Sequence, residues 1–157
     1  MTGSRGSGRI DGVAETVALR QVVLDCTDAR RLAEFYRELL GFAYRPGDEP
    51  PAAGDPDPRG QDWLVLRNPA AGMQLAFQQV DDLPEATWPE GPHPQMAHLD
   101  LTVSTLAAFE AEHLRAVGLG ARPLLDRSDD LDEPLRVYAD PAGHPFCIFV
   151  AISGSEA

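Results

Sequence analysis

The residues of this chain able to do chemistry are few and unevenly placed. There are four histidines, His93, His98, His113 and His144, and two cysteines, Cys26 and Cys147. All 13 basic residues are Arg; Schiff-base and P-loop chemistries, which need Lys, are excluded. Neither cysteine stands in a CxxC pair, and two thiolates cannot form a zinc site without His or carboxylate help. Free Cys usually behaves as a small buried hydrophobe. His98 is the best placed, on a strand where it could ligate a metal, exchange a proton or hydrogen-bond a ligand. His144 sits in Pro141-Ala142-Gly143-His144-Pro145, a composition that builds turns. His93 lies in a proline-rich stretch and His113 on a helix face expected to be exposed; neither needs a function.

The background charge narrows the partners. Among 157 residues, 25 acidic side chains oppose 13 basic ones, a net charge of −12. Nucleic acid is excluded as a partner, because phosphate binding needs a basic face. Acidity speaks first for solubility and only second for a cationic ligand. No segment approaches the ~18 uncharged residues of a membrane span, and no apolar signal core opens the chain. A cytoplasmic protein with reduced cysteines is the expectation.

The elements that must position these residues follow from periodicity. Residues 1–16 are Gly-, Ser- and Arg-rich without period and read as a flexible leader, with a short tail at 153–157. Ala18–Cys26 alternates as a strand. Asp28 caps a helix carrying Leu32, Phe35, Tyr36, Leu39 and Leu40 at helical spacing, closed by Gly41. Pro46–Asp62, with five prolines and five acids, reads as a solvated surface loop. Trp63–Arg67 and Met73–Val80 form a hairpin. After a linker over 81–96, the order returns: strand Ala97–Val103, helix Leu106–Val117 ended by Gly118, a short strand near Arg122–Leu125, an acidic loop, then a hairpin of Leu135–Ala139 and Phe146–Ile152.

This is an internal repeat. An offset of 77 takes Gln21 to His98, Gly41 to Gly118 and Arg45-Pro46 to Arg122-Pro123. In the hairpins the offset shrinks to 72 for Pro69 and Pro141, and to 71 for Gly72 and Gly143. The predicted fold is α+β: two tandem βαβββ modules, at 17–80 and 97–152, whose curved sheets enclose a common cleft within a single domain over 17–152.

Four runs stand out in this frame: Leu19-Arg20-Gln21-Val22-Val23-Leu24-Asp25, Phe35-Tyr36-Arg37-Glu38-Leu39-Leu40-Gly41-Phe42, Asp140-Pro141-Ala142-Gly143-His144-Pro145-Phe146 and His98-Leu99-Asp100-Leu101. In them the chain resembles the vicinal oxygen chelate superfamily of glyoxalases, bleomycin-resistance proteins, fosfomycin-resistance enzymes and extradiol dioxygenases. In detail it looks like a glyoxalase-like actinobacterial subgroup. The resemblance implies metal-binding positions at Gln21, Ala76, His98 and Cys147. That set is incomplete: Ala76 has no donor, and Cys147 stands where the superfamily usually has Glu. No metal cofactor is therefore expected, a divalent ion remaining the alternative.

Strand parity points to the site independently. Gln21, Val23 and Asp25 face the cleft, as do His98, Asp100 and Thr102. Trp63, Val65, Arg67, Gln74, Ala76 and Gln78 follow, and in the last hairpin Arg136, Tyr138 and Cys147. The expected ligand-binding set is Gln21, Asp25, Trp63, Arg67, Gln78, His98, Asp100, Arg136 and Tyr138, a mixture suited to a small organic molecule. The expected function is metal-independent small-molecule binding of the glyoxalase/bleomycin-resistance type. The alternatives are a metal-dependent glyoxalase-like lyase, isomerase or dioxygenase, and a non-catalytic module closed by homodimerisation.

Overall fold

The computed structural model describes residues 17–151; the expected leader, the tail and the last residue of the final strand lie outside them. Helix α1 (Ala29–Leu40) forms where its signals set it. The Asp28 carboxylate accepts from the Arg31 N–H at 3.0 Å, and Gly41 ends the helix at φ 66°, the left-handed position that favours glycine. Leu32, Phe35, Tyr36 and Leu39 give α1 one buried stripe. Helix α2 (Leu106–Leu119) is capped by Thr105, whose hydroxyl accepts from the Ala108 N–H at 3.1 Å. It does not stop at Gly118. The left-handed residue is Gly120, at φ 112°, so Gly120 and not Gly118 is the counterpart of Gly41.

The duplication is explicit in the sheets. In the first the order is β1 (Gln21–Cys26), β4 (Gln74–Gln79), β3 (Trp63–Arg67), β2 (Ala43–Tyr44). In the second it is β5 (Leu99–Val103), β8 (Pro145–Val150), β7 (Leu135–Ala139), β6 (Arg122–Arg127). In each, the strand that precedes the helix runs parallel to the last strand of its module, and the other pairs are antiparallel. This is the expected α+β, two-module βαβββ fold with curved mixed sheets.

One apolar core spans both modules. Leu64, Leu66, Leu75 and Phe77 join α1 residues in it, as their strand parity predicts. The ring of Tyr36 lies 5.0 Å from Phe35, 5.8 Å from Phe77 and 6.4 Å from Phe146, and Phe146 stacks on Tyr138 at 5.2 Å. Burying a large apolar side chain contributes about 1.5–3 kcal/mol, so this chain of rings carries much of the cohesion between modules.

Polar bonds fix the same junction. Tyr36 donates its hydroxyl to Asp140 Oδ2 at 2.9 Å, and His144 Nδ1 donates to the same oxygen at 2.9 Å. Asp140 Oδ1 accepts from the N–H groups of Ala142 and His144 at 2.8 and 3.0 Å. Burial disfavours the charged imidazole of His144, but the Asp140 carboxylate outweighs it and raises the histidine above its ordinary value. Burial, together with the Asp140 charge, pushes the Tyr36 phenol well up, so it stays a donor. Arg115 of α2 donates to the carbonyls of Glu38 and Leu39, both at 2.6 Å, covering C-terminal groups of α1 that the helix leaves unsatisfied.

The 46–62 segment departs from expectation: it is anchored, not simply solvated. Asp48 is 1% exposed, accepts from the Val65 N–H at 3.0 Å and pairs with Arg45 at 2.8 Å. Strand β2 is too short to pair β3 along its length, and the Asp48 carboxylate takes the N–H that remains. Arg30 holds the same segment through Asp57 at 2.7 Å.

Removing the Tyr36 hydroxyl with Tyr36→Phe keeps the ring packing but strips a donor from a buried carboxylate. The expected cost is about 2 kcal/mol in urea denaturation; an unchanged midpoint would show that the bond contributes nothing to the junction.

Candidate functional site

The parallel register of β5 and β8 sets Asp100 directly beside Cys147. His98 precedes β5 by one residue and lies two residues before Asp100, which puts it on the same face. The ligating atoms of His98, Asp100 and Cys147 all lie within 4.8 Å of one another, with His98 Nε2 3.3 Å from Asp100 Oδ1. Strand parity places His98 and Asp100 in the cleft, while the resemblance implies a carboxylate at position 147, where this chain has Cys. The structure supplies one from the neighbouring strand. The signal was His-x-Asp spacing on one strand face combined with parallel pairing.

Burial and the adjacent Asp100 charge push the Cys147 thiol up to about 11. A thiol so placed is no activated nucleophile, because only the thiolate attacks. Cys26 is fully buried and pushed up, chiefly by that burial, to about 12, the structural role expected of it.

A cavity of about 740 Å³ lies beside this cluster. Its walls come from β1, from the segment 83–97, from the start of β5 and from the turn 142–145, with Tyr36 also contributing. Of the expected ligand-binding residues it brings together Asp25 and His98. Asp100 stands next to His98 in the side-chain cluster. Gln21, Trp63, Arg67 and Gln78 share a face of the first sheet but do not line the cavity. Sequence reasoning missed the contribution of the linker, treated as a spacer for its four prolines. Its Leu83, Ala86 and Met96 line the wall, and such apolar residues in a proline-rich stretch were the available signal.

Two expected site residues face the other way. Arg136 and Tyr138 are 6% and 0% exposed and lie against α2. Arg136 pairs with Glu110 at 2.9 Å and Asp126 at 3.0 Å, and its guanidinium sits 4.5 Å from the centre of the Phe109 ring. Tyr138 Oη is 3.0 Å from His113 Nδ1, so His113 also faces the sheet rather than solvent. The register explains the correction: Arg136 is paired with Ile148 and Tyr138 with Phe146, and cross-strand partners share a face. Val137, paired with Cys147, takes the opposite face. Parity by hydropathy fails here because a guanidinium can lie flat over an aromatic ring while its N–H groups stay paired with carboxylates.

A match to the model of the glyoxalase-like domain family spans residues 21–149. The chain belongs to this family. Solved structures of similar fold include a glyoxalase/bleomycin resistance protein/dioxygenase family enzyme from Burkholderia phytofirmans PsJN, at TM-score 0.62 and 15% identity over 87% of this chain and 100% of that one. A fosfomycin resistance protein, FosX, from Listeria monocytogenes, solved with manganese(II) and 1S,2S-dihydroxypropylphosphonic acid, matches at 0.62 and 15% over 88% and 95%. The oxidase ChaP-H2 matches at 0.55 and 20% over 91% and 100%. At such identities the likeness is one of fold. No curated protein matches the chain.

FosX, among the structures of similar fold, is solved with a divalent ion, and the donor set here can be tested against one. Imidazole, carboxylate and thiol donors at His98, Asp100 and Cys147 suit a borderline-soft ion such as zinc. Gln21 Oε1, at the implied position on β1, is buried without a hydrogen-bond partner. Ala76 is fully buried and offers no donor. The residues present thus fit an open, three-donor site.

Replacing Asp100 with Asn removes the negative neighbour that helps hold the Cys147 proton. Alkylation by iodoacetamide at pH 8 is then expected to accelerate several-fold, as the thiol falls towards its ordinary value near ~8.5. An unchanged rate-against-pH profile would contradict the placement of Asp100 beside the sulfur.

Proposed function

We propose that this glyoxalase-like protein is a metal-independent binder of a small organic molecule, held in the cavity between β1, β5, the 83–97 segment and the 142–145 turn. The observation that carries this reading is the cavity itself. Its volume of about 740 Å³ lies within the range of drug-sized ligand sites, and its walls are mostly apolar with a few polar groups, the composition such sites use. Both modules contribute to it, so the duplicated fold is what creates it. Binding needs no ion: Asp25, Gln95 and His98 already present hydrogen-bonding groups at the wall. The two unpaired cysteines suit a reducing, cytoplasmic setting. Among the described residues no helix is long and apolar enough to cross a membrane.

A second reading is favoured by one observation, the cluster of His98, Asp100 and Cys147. In it the protein is a metal-dependent glyoxalase-like lyase, isomerase or dioxygenase. Those three side chains would hold the ion, which would polarise a substrate oxygen as a Lewis acid. His98 would bring the substrate to the ion, since it lines the cavity as well.

The two readings separate in one experiment. Tag-free protein is stripped with EDTA and screened by thermal shift against a metabolite library, alongside Ala97→Trp, which fills the cavity from an exposed position on its wall. The proposal expects stabilising compounds for the metal-free wild type and a loss of their effect in Ala97→Trp, with the unliganded melting temperature within about 2 °C. Stabilisation that appears only after zinc is restored would instead establish the metal-dependent reading.

A further inference from the structure

We infer that the ligand of this cavity is a cation: an apolar body carrying one protonated amine, with the amine set against the Asp25 carboxylate. The inference rests on the cavity as the ligand site and names the chemistry that the site selects. Among the described residues, and apart from three histidines, Asp25 is the only ionisable acid or base of the wall besides the buried Tyr36 phenol, and no Arg lines it. Among the described residues no salt bridge includes Asp25, and its one cationic neighbour, the His144 imidazole, is already held by Asp140. The neighbouring linker carboxylate, Glu85, is already paired with Arg122 and is no rival anchor.

The carboxylate is an acceptor, and a protonated amine brings only donors. The rest of the wall, including Val23, Leu83, Pro84, Met96 and Leu99, asks for an apolar body. An anionic ligand finds no guanidinium to receive it, and the net charge of −12 disfavours its approach while drawing cations in.

The test is isothermal titration calorimetry on metal-free protein with three probes built on one tricyclic aromatic skeleton. Each carries a propyl chain, ending in a dimethylammonium, a hydroxyl or a carboxylate. The ammonium probe is expected to bind about five- to tenfold more tightly than the alcohol, with the carboxylate weakest. The advantage should shrink at about 0.5 M salt, where exposed charges are screened. Asp25→Asn should abolish it while leaving the alcohol unchanged. Equal binding of ammonium and alcohol to the wild type would overturn the cation inference and leave the cavity as a ligand site. An ammonium preference that survives in Asp25→Asn would overturn the assignment of Asp25 as anchor. If no probe binds, the inference falls, and failure of the metabolite screen as well would bring down the ligand-site reading beneath it.

Discussion

The buried carboxylate of Asp140 is the point on which the two modules depend. It lies at the start of the last β-turn of the second module, yet one of its oxygens is held by Tyr36 from the helix of the first. An ionised group so deeply placed survives only when every lone pair is used. Here the phenol, the imidazole and two backbone N–H groups use them. The same bonds orient His144 and the 142–145 turn, and that turn is one wall of the cavity. The position of the cavity is therefore a consequence of how this carboxylate is satisfied.

The chemistry of the site comes from a second constraint, the parallel pairing of the first and last strands in each module. In the second module it sets Asp100 beside Cys147, and in the first the matching register sets Val23 beside Ala76. One duplicated frame thus holds an imidazole, a carboxylate and a thiol on one side, and the amide of Gln21 with the apolar Val23 and Ala76 at the corresponding places on the other. A symmetric fold has become chemically asymmetric through side chains alone. The cavity that results is mostly apolar, with the Asp25 carboxylate at its wall.

Much of this was legible in the residues. Asp28 and Gly41 bracket the first helix, and the repeat offset of 77 recovers the duplication, because caps and turns have local causes. The faces of β1, β3 and β4 follow from alternation, since leucine and phenylalanine leave little doubt about which side is the core. Alternation fails at Arg136 and Tyr138, where an amphipathic side chain and a hydrogen-bonded phenol pack against α2 and outcompete simple hydropathy. Gly118 was a plausible helix end, but only the backbone shows that Gly120 adopts the left-handed conformation. The linker wall was illegible for another reason: its residues become a site only through contact with β1 and the 142–145 turn, more than 40 positions away on either side at their nearest partners.

The central claim is that a small molecule sits between the two modules. It is tested most directly by two-dimensional NMR of the isotopically labelled protein, titrated with the amine probe. The account predicts that the backbone amides of β1, residues 83–97, residues 98–99 and the 142–145 turn shift together and saturate with one affinity. Shifts confined to the outer surfaces of the helices, or scattered without saturation, would contradict it.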